Sequence, residues 1–392
     1  MQVQYILSKE TGTIKIASNT KIVIRKGSVI SSSLNIGDYL ESGDFFVDAV
    51  GRESGRTLFY AKGKHDFEIV GEDGSVINGR GSSWFDNEAS NRRPGLIRLV
   101  NCKNVKIKNL VMIDSSCWAI QLSNCENVEI ENVNIISKWG ACNTGINVDS
   151  CKNVNIFNSV FDLGDSCVAV KTTTNSTCEN ILVEDCIFST NWSALLIGTE
   201  TVGDIKNVTF INNLIKRADG CVIKIVPTDG GNVENVLVEN IEVKLGTGPV
   251  FIANGKRNAR YYSSAGSESN SRISDVTLRN IRADVYINES PLYSGCGDCV
   301  FISGNETDRL KNVLIEDCYF KMPGGKTSYE EYSVQELADQ YPDYYILGET
   351  PASGMYVRHV DGVTIRNVKI DLKENDKREK IVFEDVTDCK KQ

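Results

Sequence analysis

Lys103-Asn104-Val105-Lys106-Ile107 returns along the chain as Glu126-Asn127-Val128-Glu129-Ile130 and Lys152-Asn153-Val154-Asn155-Ile156, then as Glu179-Asn180-Ile181-Leu182-Val183, Lys206-Asn207-Val208-Thr209-Phe210 and Glu234-Asn235-Val236-Leu237-Val238. Counted from the second residue, the steps are 23, 26, 27, 27 and 28. Looser copies at Ser274-Asp275-Val276-Thr277-Leu278, Lys311-Asn312-Val313-Leu314-Ile315 and Asp361-Gly362-Val363-Thr364-Ile365 lengthen the step to 40, 37 and 50. A period of this size marks a repeat whose units bury their apolar faces only against one another.

The unit is β. Each copy alternates apolar and polar with period 2, and Val and Ile fill the inward positions of a pleated surface. No stretch holds a 3.6 period over three turns. Short strands stacked in parallel every ~25 residues define an all-β, single-stranded, right-handed parallel β-helix; the leucine-rich pattern is absent and propeller blades need ~40 residues. The Asn before each strand suits a turn whose side-chain amide stacks on its counterpart one coil away.

At 392 residues the chain could hold two ordinary domains, but a solenoid grows along one axis, so one long domain is expected. Net charge is −9 with Lys and Arg dispersed, which argues against nucleic acid as a partner and leaves a sugar chain open, even an anionic one. No apolar run approaches the ~18 residues of a membrane span. Met1-Gln2-Val3-Gln4-Tyr5-Ile6 lacks the pattern of a secretion signal, so a cytoplasmic protein is expected, or a secreted one if a leader has been removed. The 13 Cys are odd in number, and Cys102, Cys125, Cys151, Cys178, Cys186 and Cys318 hold equivalent repeat positions, which reads as reduced, buried thiols. Cys296-Gly297-Asp298-Cys299 is a solitary CxxC in a Gly-rich loop. No zinc spacing, phosphate loop or dinucleotide fingerprint occurs, and no metal or cofactor is expected. His65 and His359 each precede a repeat strand and read as structural or surface residues.

Residues 1–60 lack the phrase and read as an N-terminal cap over the first coil. Residues 61–372 read as the β-helix, with insertions near 254–270 (containing Tyr261-Tyr262), 288–299 and 323–353 (Tyr329, Tyr332, Tyr341, Tyr344 and Tyr345). Insertions in solenoids gather on one face and line grooves. Tyr332–Asp339 is a candidate short helix. Residues 373–392 form a charged tail that folds back as an exit cap.

From Ile77-Asn78-Gly79-Arg80-Gly81-Ser82-Ser83-Trp84, through Arg93-Pro94, Leu96-Ile97, Cys102-Lys103-Asn104-Val105 and Trp118-Ala119-Ile120 to about residue 245, the chain resembles glycoside hydrolase family 28, the polygalacturonases and rhamnogalacturonases. The resemblance implies a pectin lyase-like β-helix that hydrolyses α-linked galacturonan-type chains with inversion and without a metal. The family's NTDGxD segment falls on Cys142-Asn143-Thr144-Gly145-Ile146-Asn147, with Thr144 and Asn147 where the family has Asp. Its GDDC[IV]A[IV]K segment is Gly164-Asp165-Ser166-Cys167-Val168-Ala169-Val170-Lys171: Asp165 matches the general acid and Ser166 replaces the second Asp. Trp192-Ser193-Ala194-Leu195-Leu196-Ile197-Gly198 lies over the GHGxSIG segment without its His. Val222-Ile223-Lys224 keeps only the Lys of RIK.

Inverting hydrolysis needs a protonated carboxyl for the leaving oxygen and a carboxylate ~6.5–9.5 Å away to activate water. Asp165 serves as the acid if its surroundings raise its pKa. Thr144 and Ser166 do not ionise, so a base must have moved. Strand parity puts Ile146 and Val148 inward, and Asn147 and Asp149 outward; it puts Cys167, Ala169, Lys171 and Lys224 on that same outer strip. Asp149 and Glu200 are the candidate bases. Lys224, Lys171, Asn147, Asn143, Thr144, Ser166 and Trp192 are candidate substrate contacts, with Lys224 meeting a substrate oxygen or carboxylate. The reading is a carbohydrate-active enzyme cleaving an α-glycosidic bond in a pectin-type or related oligosaccharide. Its rivals are a divergent glycosidase or fructan-type transferase whose site is shared between subunits of a homo-oligomer, a non-catalytic sugar-binding β-helix, and a calcium lyase, whose cluster of strand Asp residues is not evident here.

Overall fold

The structure is a computed structural model that describes the chain except for residues 42, 44–45, 48–52, 86–92, 141, 258–269, 289–296, 329–333, 337–338 and 348. Tyr261, Tyr262, Cys296, Tyr329, Tyr332 and part of the helix expected at 332–339 lie outside the described residues. Short parallel strands stack coil on coil, and the pairings sort them into three faces. The first face runs through Thr57–Lys62, Gly95–Val100, Ile120–Ser123, Ile146–Asp149, Val168–Thr172, Ser193–Thr201, Cys221–Pro227, Val250–Ala253 and Val300–Ser303 into Ala352–Arg366. The second carries the repeat phrases from Lys103–Ile113 to Leu310–Glu316. The third closes each coil, as in Val160–Leu163 over Ile187–Thr190. Among the described residues, helix is confined to a 3-10 turn at Ile36–Asp38 and the short helices Gly81–Phe85 and Tyr344–Leu347.

Register follows the apolar alternation. Ile120, Ile146, Val168, Leu195, Ile223 and Val250 oppose one another in succession, and all are fully buried. A slip of one residue would turn this column out to solvent. Phe161 and Phe188 stack at 5.0 Å, and Phe210 continues the pile at 5.4 Å. The repeat Asn holds the corners: Asn104, Asn127, Asn153, Asn180, Asn207 and Asn235 all have φ near +55°. Asn tolerates that left-handed region better than other side chains with a Cβ. Each amide donates to the Oδ1 one coil before it, at 3.0 Å for Asn127 to Asn104 and 2.7 Å for Asn235 to Asn207.

The stacking begins before the first repeat phrase. Gln2–Ile6 pairs with Thr20–Ile24, which pairs with His65–Gly71, so much of the region read as a cap carries strands of the same stack. Those coils lack the Asn phrase and so escape a search for it. In the charged tail, Glu379–Lys391 pairs in parallel along Ala352–Arg366 as a further rung. Twelve described cysteines are free thiols, all buried except Cys142 and Cys389. Burial pushes the Cys178 and Cys186 thiols up to about 12. His65 meets Asp66, and His359 lies between Asp385 at 2.6 Å and Glu336 at 3.2 Å. Among the described residues no cluster of His, Cys, Asp or Glu is placed to hold a metal, and no helix is long and apolar enough to cross a membrane.

Candidate active site

The outer side of the first face carries side chains in columns along the stack. Gln121, Asn147, Ala169, Leu196 and Lys224 oppose one another in successive coils, ~4.8 Å apart. Asp149 and Lys171 are opposed in the next outward column. Cys167 departs from the parity reading: it is fully buried in the main core. Its strand begins only at Val168, so alternation does not yet hold at Cys167. A Cβ on Gly145 would lie 2.6 Å from Leu163 and from the Cys167 carbonyl, so the bare glycine keeps this corner closed.

A bulge brings Glu200 to the outer face. Val170 opposes Ile197 and Thr172 opposes Thr201, so Gly198, Thr199 and Glu200 together face Lys171 alone. Such bulges re-aim side chains. Lys171 donates to Glu200 at 3.2 Å, with both side chains almost wholly buried. Burial raises the Glu200 carboxyl above its usual range, while Lys171 and Arg257 pull it back. Arg257 clasps Asp229 at 2.8 Å and Thr199 at 3.3 Å, bracing the bulge.

Asp149 is outward and buried, but its oxygens are taken. They accept from the Thr173 amide at 2.8 Å, the Thr173 hydroxyl at 2.6 Å and Ser150 at 2.9 Å. Its carboxyl is raised by burial against those bonds. Asp165 is only half-buried. It accepts from the Ser166 amide at 2.6 Å and the Thr144 hydroxyl at 3.1 Å. Desolvation raises its pKa, and the two hydrogen bonds and the Lys171 charge oppose the rise.

Lys224 is fully buried and forms an ion pair with Asp343, equally buried and 119 residues away. The rings of Tyr341, Trp192 and Phe251 stand 4.6, 5.2 and 5.9 Å from its ammonium. Trp192 in turn meets Tyr345 at 6.3 Å. Tyr341 lies over Lys224. Burial holds its phenol well above the usual range, and the charges of Asp343, Glu200 and Asp165 add to that shift.

Several buried polar atoms here have no partner among the described residues: both amide atoms of Asn147, the hydroxyls of Ser166 and Ser193, Asn143 Oδ1 and Asp343 Oδ1. The Asn143 amide nitrogen donates to the carbonyls of Ser137 and Trp139. Buried polar groups are ordinarily paired. Several unpaired ones in the coils of the outer strip suit a ligand rich in hydroxyls.

Asp343, Arg257 and Asp229 were not legible as site residues in the sequence. The insertion that supplies Asp343 was marked by its tyrosines, in Tyr341-Pro342-Asp343-Tyr344-Tyr345, but nothing periodic ties it to the coil of Lys224.

Residues 50–318 match the family model described as glycosyl hydrolases family 28. A probable polygalacturonase of Vitis vinifera is 26% identical over 252 residues, covering 60% of this chain and 51% of its own length. An exopolygalacturonase of Cochliobolus carbonum is 28% identical over 300 residues, covering 69% and 64%. The chain thus spans about half to two thirds of the length of these relatives. In fold it is similar to a Yersinia enterocolitica family 28 exopolygalacturonase, with a TM-score of 0.71 at 13% identity over 99% of this chain and 72% of that one. It is also similar to a Thermotoga maritima exopolygalacturonase, with a TM-score of 0.61 at 19% identity over 94% and 84%. With the family model spanning more than half of the sequence, the β-helix and its outer strip are those of a chain that belongs to glycosyl hydrolases family 28.

Proposed function

We propose that this chain is a glycoside hydrolase cleaving an α-glycosidic bond in a pectin-type or related oligosaccharide by inversion, with Asp165 as general acid and Glu200 as general base. The observation that carries the reading is the set of unpartnered buried polar atoms in the coils that carry Asp165 and the outer strip. Sugar hydroxyls both donate and accept, so one bound ring satisfies amides and hydroxyls together. Burial favours the protonated form of Asp165, the state a general acid needs. Its proton passes to the glycosidic oxygen as the bond to the anomeric carbon breaks. Glu200 takes a proton from the water attacking that carbon from the opposite face, which inverts the anomer. Of the two candidate bases, Asp149 is engaged by three hydrogen bonds that tie it to Thr173 and Ser150, whereas Glu200 is carried out by the bulge and paired with Lys171. Asn147, Asn143, Thr144, Ser166 and Trp192 then orient the sugar.

The test is a panel of defined uronate-, galactose-, rhamnose- and fructose-containing oligosaccharides, with NMR detection of the released anomer. Turnover with inversion is expected. Asp165→Asn and Glu200→Gln should each lower kcat by about 10²–10⁴-fold, the range of positioned acid–base catalysis. A second reading, a non-catalytic sugar-binding β-helix, is favoured by the hydroxyls of Thr144 and Ser166 where the family carries carboxylates. Binding without turnover of any panel member, unchanged in Asp165→Asn, would establish it instead. A sizing column decides whether a neighbouring subunit could complete the site.

A further inference from the structure

In this family-like strip, Lys224 is the natural partner for a substrate carboxylate, yet its charge is already answered from within the chain. We infer that Asp343 is a specificity-determining residue that neutralises Lys224, so that the sugar seated at this end of the site is uncharged there and a uronate is disfavoured. The inference rests on the reading of the outer strip as a glycoside site and names the substrate class it takes.

Three observations carry it. First, the ammonium and the carboxylate are both almost fully buried and paired, and aromatic rings close the ammonium on other sides. A carboxylate arriving from a substrate would have to displace Asp343 or lie beside it as a second buried anion, and close like charges resist joint ionisation. Second, Asp343 is held in place. Tyr344 beside it donates to the carbonyls of Cys299 at 2.6 Å and Val250 at 2.8 Å. The Tyr344 ring also fills the space over Gly248, where a Cβ would come within 2.1 Å of it. Third, Asp343 Oδ1 has no partner among the described residues. It is an acceptor awaiting a donor; a hydroxymethyl group seated against it supplies one, and an ionised carboxyl group in the same place does not. Sequence spacing hides all of this, because Asp343 enters from an insertion.

The experiment compares the affinities of α-1,4-linked digalacturonate and the matching galactose disaccharide, measured calorimetrically on the Asp165→Asn protein so that turnover does not interfere. The neutral disaccharide is expected to bind more tightly. Asp343→Asn, which frees the charge of Lys224, should shift the ratio toward the uronate by about tenfold or more. Should that variant fail to fold, Lys224→Met combined with Asp343→Leu keeps the charge balance and should keep the neutral preference. A uronate preference in the Asp165→Asn parent, or a ratio that Asp343→Asn leaves unchanged, overturns the inference. Turnover of the wild-type protein on the mixed panel is read separately, so a failed specificity is distinguishable from a failed glycosidase assignment.

Discussion

Lys171 acts on both carboxyls assigned to the chemistry, lowering the pKa of Asp165 and of Glu200 against the burial that raises them. Removing its charge lets desolvation act with less opposition at both sites. In the pH profile of kcat/KM the acid limb reports ionisation of the base and the alkaline limb loss of the acid's proton. Lys171→Met is therefore expected to move both limbs to higher pH, whereas an ammonium that merely supports the fold would lower the plateau and leave the limbs in place. Asp149 gives the contrasting case. Its three hydrogen bonds fasten Thr173 and Ser150 at the corner after the strand. Asp149→Asn should cost about 1–3 kcal/mol in urea unfolding, as expected when a buried acceptor is lost, with the limbs unmoved. Parity placed Asp149 on the outer face correctly. It could not tell an acid aimed at substrate from one tied to the turn, because that depends on where Thr173 folds back.

At the scale of the element, the repeat phrase was legible because each of its letters answers a local demand. Val and Ile face the column inside the coil, and Asn accepts the left-handed corner while its amide reaches the neighbouring corner. These demands separate experimentally at Asn153, which donates to Asn127 and accepts from Asn180, both at 2.9 Å. Asn153→Gly keeps the backbone conformation and loses both amide bonds, about 1 kcal/mol or less each at an exposed site. Asn153→Ala loses the same bonds and adds the left-handed penalty of a Cβ, roughly 1–2 kcal/mol. The alanine variant should therefore unfold at lower denaturant than the glycine variant; equal midpoints would mean that the corner conformation is not what selects Asn. Where local demand and period part company, the sequence was mute. The bulge of Gly198, Thr199 and Glu200 against Lys171 adds residues that no alternation announces. The insertion bearing Asp343 obeys no period, so its pairing with Lys224 is visible only in three dimensions.

Over the whole molecule, each coil touches chiefly the coils above and below it, so stability is a sum of local and neighbour terms instead of one indivisible core. The C-terminal rung puts that additivity within reach of measurement. Glu379–Lys391 runs beside Ala352–Arg366, opposing Ile381 to Met355, Phe383 to Val357 and Val386 to Val360. Arg378, just before it, is buried against Asp298 at 2.7 Å and Asp376 at 2.8 Å, which anchors the turn into that rung. Deleting residues 379–391 while keeping Arg378 removes the rung and leaves its anchor. The preceding strand then becomes an edge with unpaired amides and freshly exposed Met355, Val357 and Val360, the arrangement that invites strand-to-strand association. Hydrogen exchange should show lost protection across residues 352–366, with protection retained at Ile120–Ser123 and Ile146–Asp149 many coils away, and a sizing column should show self-association. Uniform loss of protection along the chain would mean that the coils fold as a single cooperative unit, and the additive account of this solenoid would fail.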